Sequence, residues 1–292
     1  MKIRVFTMTL AVMYAVGLAF LLYAAWQGMD YYLMPVIERP HAELHAMLKP
    51  GGSWGHGLGI LGTAMILLLF LYSARKRELL GLRAGSISRW LDIHIWFGIM
   101  GPLYITLHTA MKFNGIVSIS YFSMLAVMLS GFVGRYIYIQ IPRDHRGTAM
   151  TVDEINRTIA GLNQTLGELY GMNQTILEKM SKQAVLSKGA RRGRLGDLLK
   201  LVASDLYRPI RNRSLRRLIT HSHPDMPEQA VREVFALAKQ RSLLIRRRAL
   251  LESVNAVFHL WHVVHKPFAI VMIVIMLVHV AVAVLMGYTW VW

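Results

Sequence analysis

Five runs of apolar residues, each long enough to cross a lipid bilayer, constrain the fold of this 292-residue chain more than any other feature. A helix rises about 1.5 Å per residue, so about 20 residues span a hydrocarbon core roughly 30 Å thick. With 54% hydrophobic and 17% charged residues, the chain is also more apolar than an ordinary soluble domain. The sequence therefore predicts an all-α integral membrane bundle of five transmembrane helices, at about Val5–Trp26, Trp54–Tyr72, Trp90–Met111, Ile119–Ile141 and Pro267–Met286.

The first run follows Lys2 and Arg4, as the apolar part of a secretory signal does. It is longer than the roughly 7–15 apolar residues of such a signal, and no clear cleavage site follows it. We expect it to be an uncleaved membrane anchor. The chain has no cysteine, which excludes disulfides, iron–sulfur clusters and covalently attached haem.

The basic residues are distributed unequally between the loops on the two sides of the predicted bundle. The chain has 33 Lys and Arg residues and a net charge of +17. If the N-terminus lies inside, only Arg39, Lys49 and Lys112 fall outside. This distribution follows the positive-inside rule, by which cytoplasmic loops carry an excess of Lys and Arg. This predicts an N-terminus inside and a C-terminus outside, in a bacterial inner membrane. No recognition motif accompanies the charge, so nucleic acid is not an expected partner.

The run lengths predict three segments: transmembrane helices 1–4 in residues 1–141, a cytoplasmic basic insert in 142–257, and the last helix in 258–292. The sequence of the insert predicts helices. Thr151 and Glu154 form a capping box, Asp225 and Glu228 suggest a second cap, and residues 189–193 break the pattern. A heptad seam typical of a helical hairpin or coiled coil joins Ile155, Ile159, Leu162, Leu166, Leu169, Asn173, Ile176 and Met180.

The basic surface of the insert has two interpretations. It can face anionic lipid headgroups, since basic residues beside a membrane are attracted to them. It can instead dock an acidic redox partner or another subunit, because complementary charge steers association.

Four histidines of the third and fifth predicted helices stand in an unusual relation. His94 and His108 are 14 residues apart on the third helix, and His265 and His279 are 14 apart on the fifth. Fourteen residues make nearly four turns, so the members of each pair share a helix face and lie roughly 21 Å apart along it. One intervening helix makes the third and fifth runs parallel, so His94 can face His265 near the inner surface and His108 can face His279 near the outer one.

Two facing imidazoles are a common axial ligand pair for an electron-transfer haem. Ionisable residues inside a membrane also call for a functional reason. The spacing therefore predicts two b-type haems, with iron bound by His94 and His265 and by His108 and His279. Gly98 with Gly101, and Gly131 with Gly134, could admit a porphyrin or could only ease helix packing; the sequence leaves both open.

The remaining histidines and the inner basic residues carry weaker hypotheses. His262 could contact a propionate or a quinone, or replace His265 as a ligand, and His259 and His262 could equally be interfacial. His56 could accept a proton at a quinone site or lie at the interface. His41 and His45 could bind a metal, although two ligands are few. Arg89, Arg135 and Lys266 could pair with propionates, or could reflect only the charge bias.

At these residues the chain resembles the ferric-reductase-like transmembrane cytochromes b. The resemblance is carried by Leu91–Pro102 with Leu107–Thr109, and by Trp261–Phe268 with His279, and it covers roughly residues 54–141 and 258–288. It implies that His94, His108, His265 and His279 ligate two haems. Two features depart from the family: no flavin- or nicotinamide-binding domain follows the last helix, and a large basic insert precedes it.

Together these patterns predict a membrane di-haem cytochrome b subunit that carries electrons between a quinone pool and a protein redox partner. The chain would be one part of a larger oxidoreductase complex, with lipid around it, and could also bind a quinone. One alternative is a ferric-reductase-like membrane subunit that receives electrons from a separate cytosolic flavoprotein. The other is a non-redox membrane scaffold or sensor.

Overall fold

The computed structural model describes residues 2–81, 85–144, 148–184 and 193–289, and across these ranges it is helical, with no β-strand and a single isolated bridge between Arg143 and Ala149. The chain forms two compact units, one from residues 1–133 and 263–292 and the other from 134–262. Both unit boundaries fall inside long helices. The predicted boundaries at 141/142 and 257/258 lie close to them and stay a prediction.

The first unit, called here the membrane unit, contains the elements before residue 134 and the chain after residue 262. Two short 3-10 segments, Arg39–His41 and Leu79–Gly81, lie between its helices. The helices are α1 (Lys2–Gln27), α2 (Met29–Leu33), α3 (His45–Leu48), α4 (Ser53–Leu68), α5 (Phe70–Lys76), α6 (Ile87–His108) and the greater parts of α7 (Ile116–Gln140) and α13 (Leu251–Leu285).

Four stretches of the described chain are helical, long and apolar enough to cross a membrane: Val5–Gln27, His45–Lys76, Ile116–Gln140 and Leu251–Leu285. Their apolar side chains largely point outward, and only 11% of the most apolar part of α13 is buried. An apolar exterior of this kind is the surface that lipid covers. The chain is therefore an integral membrane protein by its helices.

The third predicted run forms a helix, α6, but is not among these four stretches. Asp92, His94, His108 and Pro102 lower its mean hydropathy. Its apolar face is instead buried within the unit. Trp96, Met100, Tyr104 and Leu107 are all less than 10% exposed and recur at intervals of three and four residues. The predicted count of five membrane-crossing helices stays a prediction.

The last helix begins at Leu251, 16 residues before the start of the predicted apolar run at Pro267. Proline lacks a backbone N–H and usually ends or kinks a helix. Here Pro267 lies inside α13, which continues to Leu285.

Glycines let α4 and α6 approach closely. A Cβ atom at Gly62 would lie 2.5 Å from the Ile105 side chain and 3.0 Å from the Gly101 carbonyl, and one at Gly101 would lie 3.2 Å from Met65. Small residues at such spacing are the usual means by which membrane helices come into contact.

A buried arginine attaches the segment between α2 and α3 to the end of α6. Arg39 is 4% exposed and donates hydrogen bonds to the carbonyls of Met34, Tyr32 and Ala110. Ala110 lies two residues after His108 and has a left-handed backbone, with φ of 48°. Arg39 thus caps the turn that follows the second histidine of α6.

The second unit, called here the basic unit, contains α8 (Val152–Tyr170), α9 (Gln174–Ala184), α10 (Gly193–Leu206), α11 (Arg208–Ser222) and α12 (Glu228–Ala249), with the remaining ends of α7 and α13. Its main core packs α8, α9, α11 and α12 around Leu166, Met180, Ile219 and Val234, each fully buried.

The predicted capping box is confirmed, since the Thr151 hydroxyl accepts from the Glu154 amide and the Glu154 carboxylate accepts from the Thr151 amide. The predicted heptad seam is interrupted between α8 and α9. α8 ends at Tyr170 because Gly171 adopts a left-handed conformation with φ of 65°, and Leu169 is 72% exposed. Asn173 is not a seam residue: its side chain accepts from the Ile176 amide at 2.9 Å, at the start of α9.

The second predicted cap, at Asp225, is also wrong. α12 begins at Glu228, and its N-cap residue is Pro227, with no side-chain cap. Residues 189–192 of the predicted break lie outside the described residues. Its last residue, Gly193, is the first residue of α10.

Candidate functional site

The outer pair of predicted ligands comes together in the membrane unit. The ring centroids of His108 and His279 are 6.4 Å apart, with 59° between the ring planes. His108 Nδ1 lies 2.8 Å from the Gly55 carbonyl oxygen. A carbonyl only accepts, so the proton of the neutral imidazole is on Nδ1 and its Nε2 carries a lone pair. This is the tautomer that a metal ligand bound through Nε2 requires, with the second nitrogen held by a protein acceptor.

The inner histidines are oriented in the same manner, each by its own neighbour. His94 Nδ1 donates to the Leu69 carbonyl at 3.2 Å, where the helix is interrupted between α4 and α5, and its ring lies 5.1 Å from Tyr72. His265 Nδ1 lies 2.6 Å from Ser130 Oγ, and that hydroxyl donates to the Val127 carbonyl at 2.9 Å. Ser130 Oγ is therefore placed to accept from the Nδ1–H of His265.

The outer pair fits a single metal atom between the two rings. Two metal–imidazole bonds of about 2 Å, plus the distance from each ring centre to its nitrogen, make a centroid separation of roughly 6 Å. The observed separation is 6.4 Å. No group of three or more metal-ligating side chains occurs in the part of the chain that the structure describes. Two nitrogen ligands per site suit a metal whose other ligands come from a macrocycle.

The other histidines have distinct neighbours. His56 packs against Tyr288, with ring centroids 6.3 Å apart, and its buried Nε2 has no hydrogen-bond partner among the described residues. His262 Nδ1 bonds the Phe258 carbonyl at 2.8 Å, within its own helix. His45 Nδ1 forms a hydrogen bond with the Tyr31 hydroxyl at 3.0 Å. One ring nitrogen of His45 is therefore already engaged and is not free to bind a metal together with His41.

The four glycines that were candidates for porphyrin contact divide into two kinds. Gly101 packs against α4, and Gly134 lies against the Trp261 ring, so both serve helix packing. A Cβ atom at Gly98 would make only an ordinary 3.7 Å contact with Leu69, and one at Gly131 would meet no described atom within 4 Å. Gly98 and Gly131 therefore border more open space than Gly101 and Gly134.

The inner basic residues rest against aromatic rings. The Arg89 guanidinium lies over the Phe6 ring at 5.2 Å, and that of Arg135 lies 5.8 Å from the Tyr138 ring centre. Each of these two guanidinium groups thus has an aromatic neighbour.

Sequence reasoning missed the residues that orient the histidines: Gly55, Gly59, Leu69 and Ser130. Gly55, Gly59 and Gly62 recur at four and three positions along α4, which is a small-residue packing signal that the sequence does carry. Leu69 and Ser130 carry no signal, because their roles depend on which helix packs beside them.

Gly59 provides the first test of this packing. A Cβ atom there would lie 2.6 Å from His108 Nδ1, so we expect Gly59→Ala to displace the ring and lower stability by about 1–3 kcal/mol. Gly131→Ala is the control, because its Cβ would meet open space and alanine favours a helix by about 0.8–1 kcal/mol. Thermal unfolding in detergent, followed by circular dichroism, should show midpoint temperatures that shift in opposite directions or by clearly unequal amounts in the two variants. Equal shifts would contradict the close contact between Gly59 and His108.

Comparison of the chain with protein-family models, with curated proteins and with solved structures found no match. The resemblance to ferric-reductase-like cytochromes b therefore stays a prediction from the sequence. The observation available for a functional proposal is the geometry of the histidines.

Proposed function

We propose that the chain is a membrane di-haem b-type cytochrome, a subunit that carries electrons across a bacterial inner membrane between a quinone pool and a protein redox partner. His94 and His265 would hold the inner haem, and His108 and His279 the outer one. The observation that carries the proposal is the outer pair: two rings 6.4 Å apart, with His108 fixed as the Nδ1–H tautomer by Gly55.

In this proposal α6 is the third of five membrane-crossing helices, with the N-terminus inside and the C-terminus outside. Its 22 residues reach about 33 Å, enough for the hydrocarbon core. Two of the residues that lower its hydropathy, His94 and His108, are residues that the proposed function needs. Polar residues at membrane depth are rare unless they face the interior of a bundle and perform a task.

The chain's own residues orient the proposed ligands. Haem iron bound by two imidazoles supplies a reversible one-electron change and has no open coordination position. The carbonyls of Gly55 and Leu69 and the hydroxyl of Ser130 orient three of the four rings. Such outer hydrogen bonds fix the tautomer and raise the basicity of the ligand nitrogen. The roughly 21 Å between residues 14 apart places the two sites toward opposite membrane surfaces.

A second candidate function keeps both haems and makes the chain the membrane part of a ferric-reductase-like enzyme, fed by a separate cytosolic flavoprotein. The observation that favours it is the exposed basic surface of the basic unit, where Arg208, Arg213 and Arg217 are solvent-accessible on α11. A surface of this charge attracts an acidic partner.

One experiment on the purified full-length chain tests the proposal and separates the two candidates. A pyridine haemochrome assay is expected to give about two b haems per chain. A soluble quinol is expected to reduce them, as shown by a reduced-minus-oxidised spectrum. Reduction that requires an added flavoprotein and its nicotinamide would support the second candidate. Absence of haem would contradict both and leave a membrane scaffold or sensor.

A further inference from the structure

One face of α11 and one face of α12 carry basic and polar side chains toward a common groove. On α11 these residues are Arg208, Arg211 and Asn212, and on α12 they are Lys239 and Ser242. The intervals of three and four residues place each set on one side of its helix. Together with Met180, Leu215 and Leu243 they line a small cavity in the basic unit.

Behind Arg211, the basic unit buries further positive charge on Arg246 and Arg247, and Asp205 is the described carboxylate that pairs with it. Arg246 is 4% exposed and pairs with Asp205 at 2.8 Å. The Ser204 hydroxyl accepts from both Arg246 and Arg211, at 2.9 Å each, so the two guanidinium groups are neighbours. The Nε atoms of Arg246 and Arg247 are buried and lack a hydrogen-bond partner among the described residues. Buried donors without acceptors are costly and uncommon in folded proteins.

Mutual repulsion among these arginines also indicates that their positive charge is not fully balanced. Burial, followed by the nearby Arg246, lowers the pKa of Arg211. The pKa of Arg247 is lowered by burial and by Arg246, with Asp205 acting in the opposite direction. Arg208, Arg211, Arg246 and Arg247 thus interact with one carboxylate among the described residues, Asp205, and an additional anion beside them would lessen their mutual repulsion.

The cavity has the size and lining for part of an anion. Its volume is about 20 Å³, which is room for one water-sized group such as a single phosphoryl oxygen. Its lining, as far as the structure describes it, contains no carboxylate. Arg208 and Lys239 at the rim are exposed, so their side chains can reorient around the rest of a ligand.

We propose that the groove between α11 and α12 is a binding site for a phosphate group, with Arg208, Arg211 and Lys239 as its cationic donors. Phosphate matches the site better than a carboxylate, because its several oxygens satisfy diverging guanidinium and ammonium donors and its charge approaches −2. Asn212 and Ser242 add neutral hydrogen-bonding groups. The phosphate can belong to a lipid headgroup or be free in solution, and the chemistry of the site is the same.

Two arms of one experiment distinguish these sources. The full-length chain is reconstituted in phosphatidylcholine nanodiscs, and hydrogen exchange of α11 and α12 is measured by mass spectrometry. In the first arm inorganic phosphate is titrated against sodium chloride at equal ionic strength. In the second arm about one-fifth of the lipid is replaced by phosphatidic acid. Added protection of α11 and α12 in the first arm shows a site for free phosphate, and protection confined to the second arm shows a lipid headgroup site.

The variant Arg208→Gln with Lys239→Gln removes the rim cations, and both residues are exposed enough to be replaced without loss of the fold. We expect this double variant to require a phosphate concentration roughly tenfold higher, or more, for the same protection of α11 and α12. The control is Arg213→Gln with Arg217→Gln, which removes the same charge from exposed positions on the other side of α11. No protection in either arm, or an equal loss in the control, would overturn the proposal.

Discussion

Replacing His279 by leucine is expected to lower the haem content of the purified chain from about two per chain to about one. The ring of His279 lies 6.4 Å from that of His108, and loss of either imidazole leaves the proposed outer iron with one protein ligand. The inner pair, His94 and His265, keeps its own hydrogen bonds to Leu69 and Ser130 and should retain its haem. A pyridine haemochrome assay with independent protein quantitation measures the change.

The control is His259→Leu on the same helix, α13. His259 is exposed and is not one of the proposed ligands, so the haem content should not change. If His259→Leu lowers the haem content as much as His279→Leu does, the assigned ligand pair is wrong.

Double variants add a test of which histidines share a site. His108→Leu combined with His279→Leu should lose no more haem than either single variant, because both residues serve one site. His265→Leu combined with His279→Leu should lose nearly all haem, because the two serve different sites. Additive loss in the first combination would show that His108 and His279 ligate separate groups.

The apolar runs predicted where the long helices lie, because length and hydropathy are local properties of the chain. Their ends were less predictable. Pro267 is a strong local signal for a helix end, yet α13 continues through it from Leu251. In α8 the heptad pattern runs on past the helix end, which Gly171 sets. Gly171 was itself a local signal for a stop, of the kind commonly found just beyond a helix C-terminus.

The candidate site could be predicted only in part. The 14-residue spacing put the two histidines of each helix on one face of that helix. The structure brings the rings of His108 and His279 together. The groups that orient the rings could not be predicted in that way. Gly55 precedes His108 by 53 residues, and Ser130 precedes His265 by 135. Contacts over such separations depend on how helices pack, which no local pattern encodes.

The ion pair between Asp205 and Arg246 should contribute more to stability than any other described ion pair in the basic unit. Arg246 is 5% exposed at its side chain, and Asp205 is 26% exposed. The second carboxylate oxygen of Asp205 accepts from the Tyr136 hydroxyl and the Gln140 amide, both at 2.9 Å. Removing one partner of a buried pair typically costs about 3–5 kcal/mol, because the other charge is left uncompensated.

Asp205→Asn is therefore expected to lower the free energy of local opening by about 3 kcal/mol, near the lower end of that range because the carboxylate is partly exposed. This corresponds to amide exchange in α10–α12 that is faster by about a hundredfold. Hydrogen exchange on the full-length chain measures it helix by helix. The control is Glu228→Gln, which breaks an ion pair of equal length, 2.8 Å, whose partners are each 56% exposed. Exposed pairs contribute at most about 1 kcal/mol, so its effect should be less than about fivefold.

The pH dependence of the same pair follows from the direction of its pKa shift. Burial of Asp205 opposes ionisation, but hydrogen bonds from Tyr136 and Gln140 and the charge of Arg246 together lower the pKa of Asp205 below its usual 3.8. A carboxyl whose pKa is lower in the folded state stabilises the fold fully above its unfolded pKa and loses that contribution as pH falls through the folded value. The difference in protection between the wild type and Asp205→Asn should therefore be the same at pH 7 and pH 5, and should shrink only below about pH 4. A difference that already declines between pH 7 and pH 5 would mean that burial outweighs the partners of Asp205, and that its pKa is raised instead.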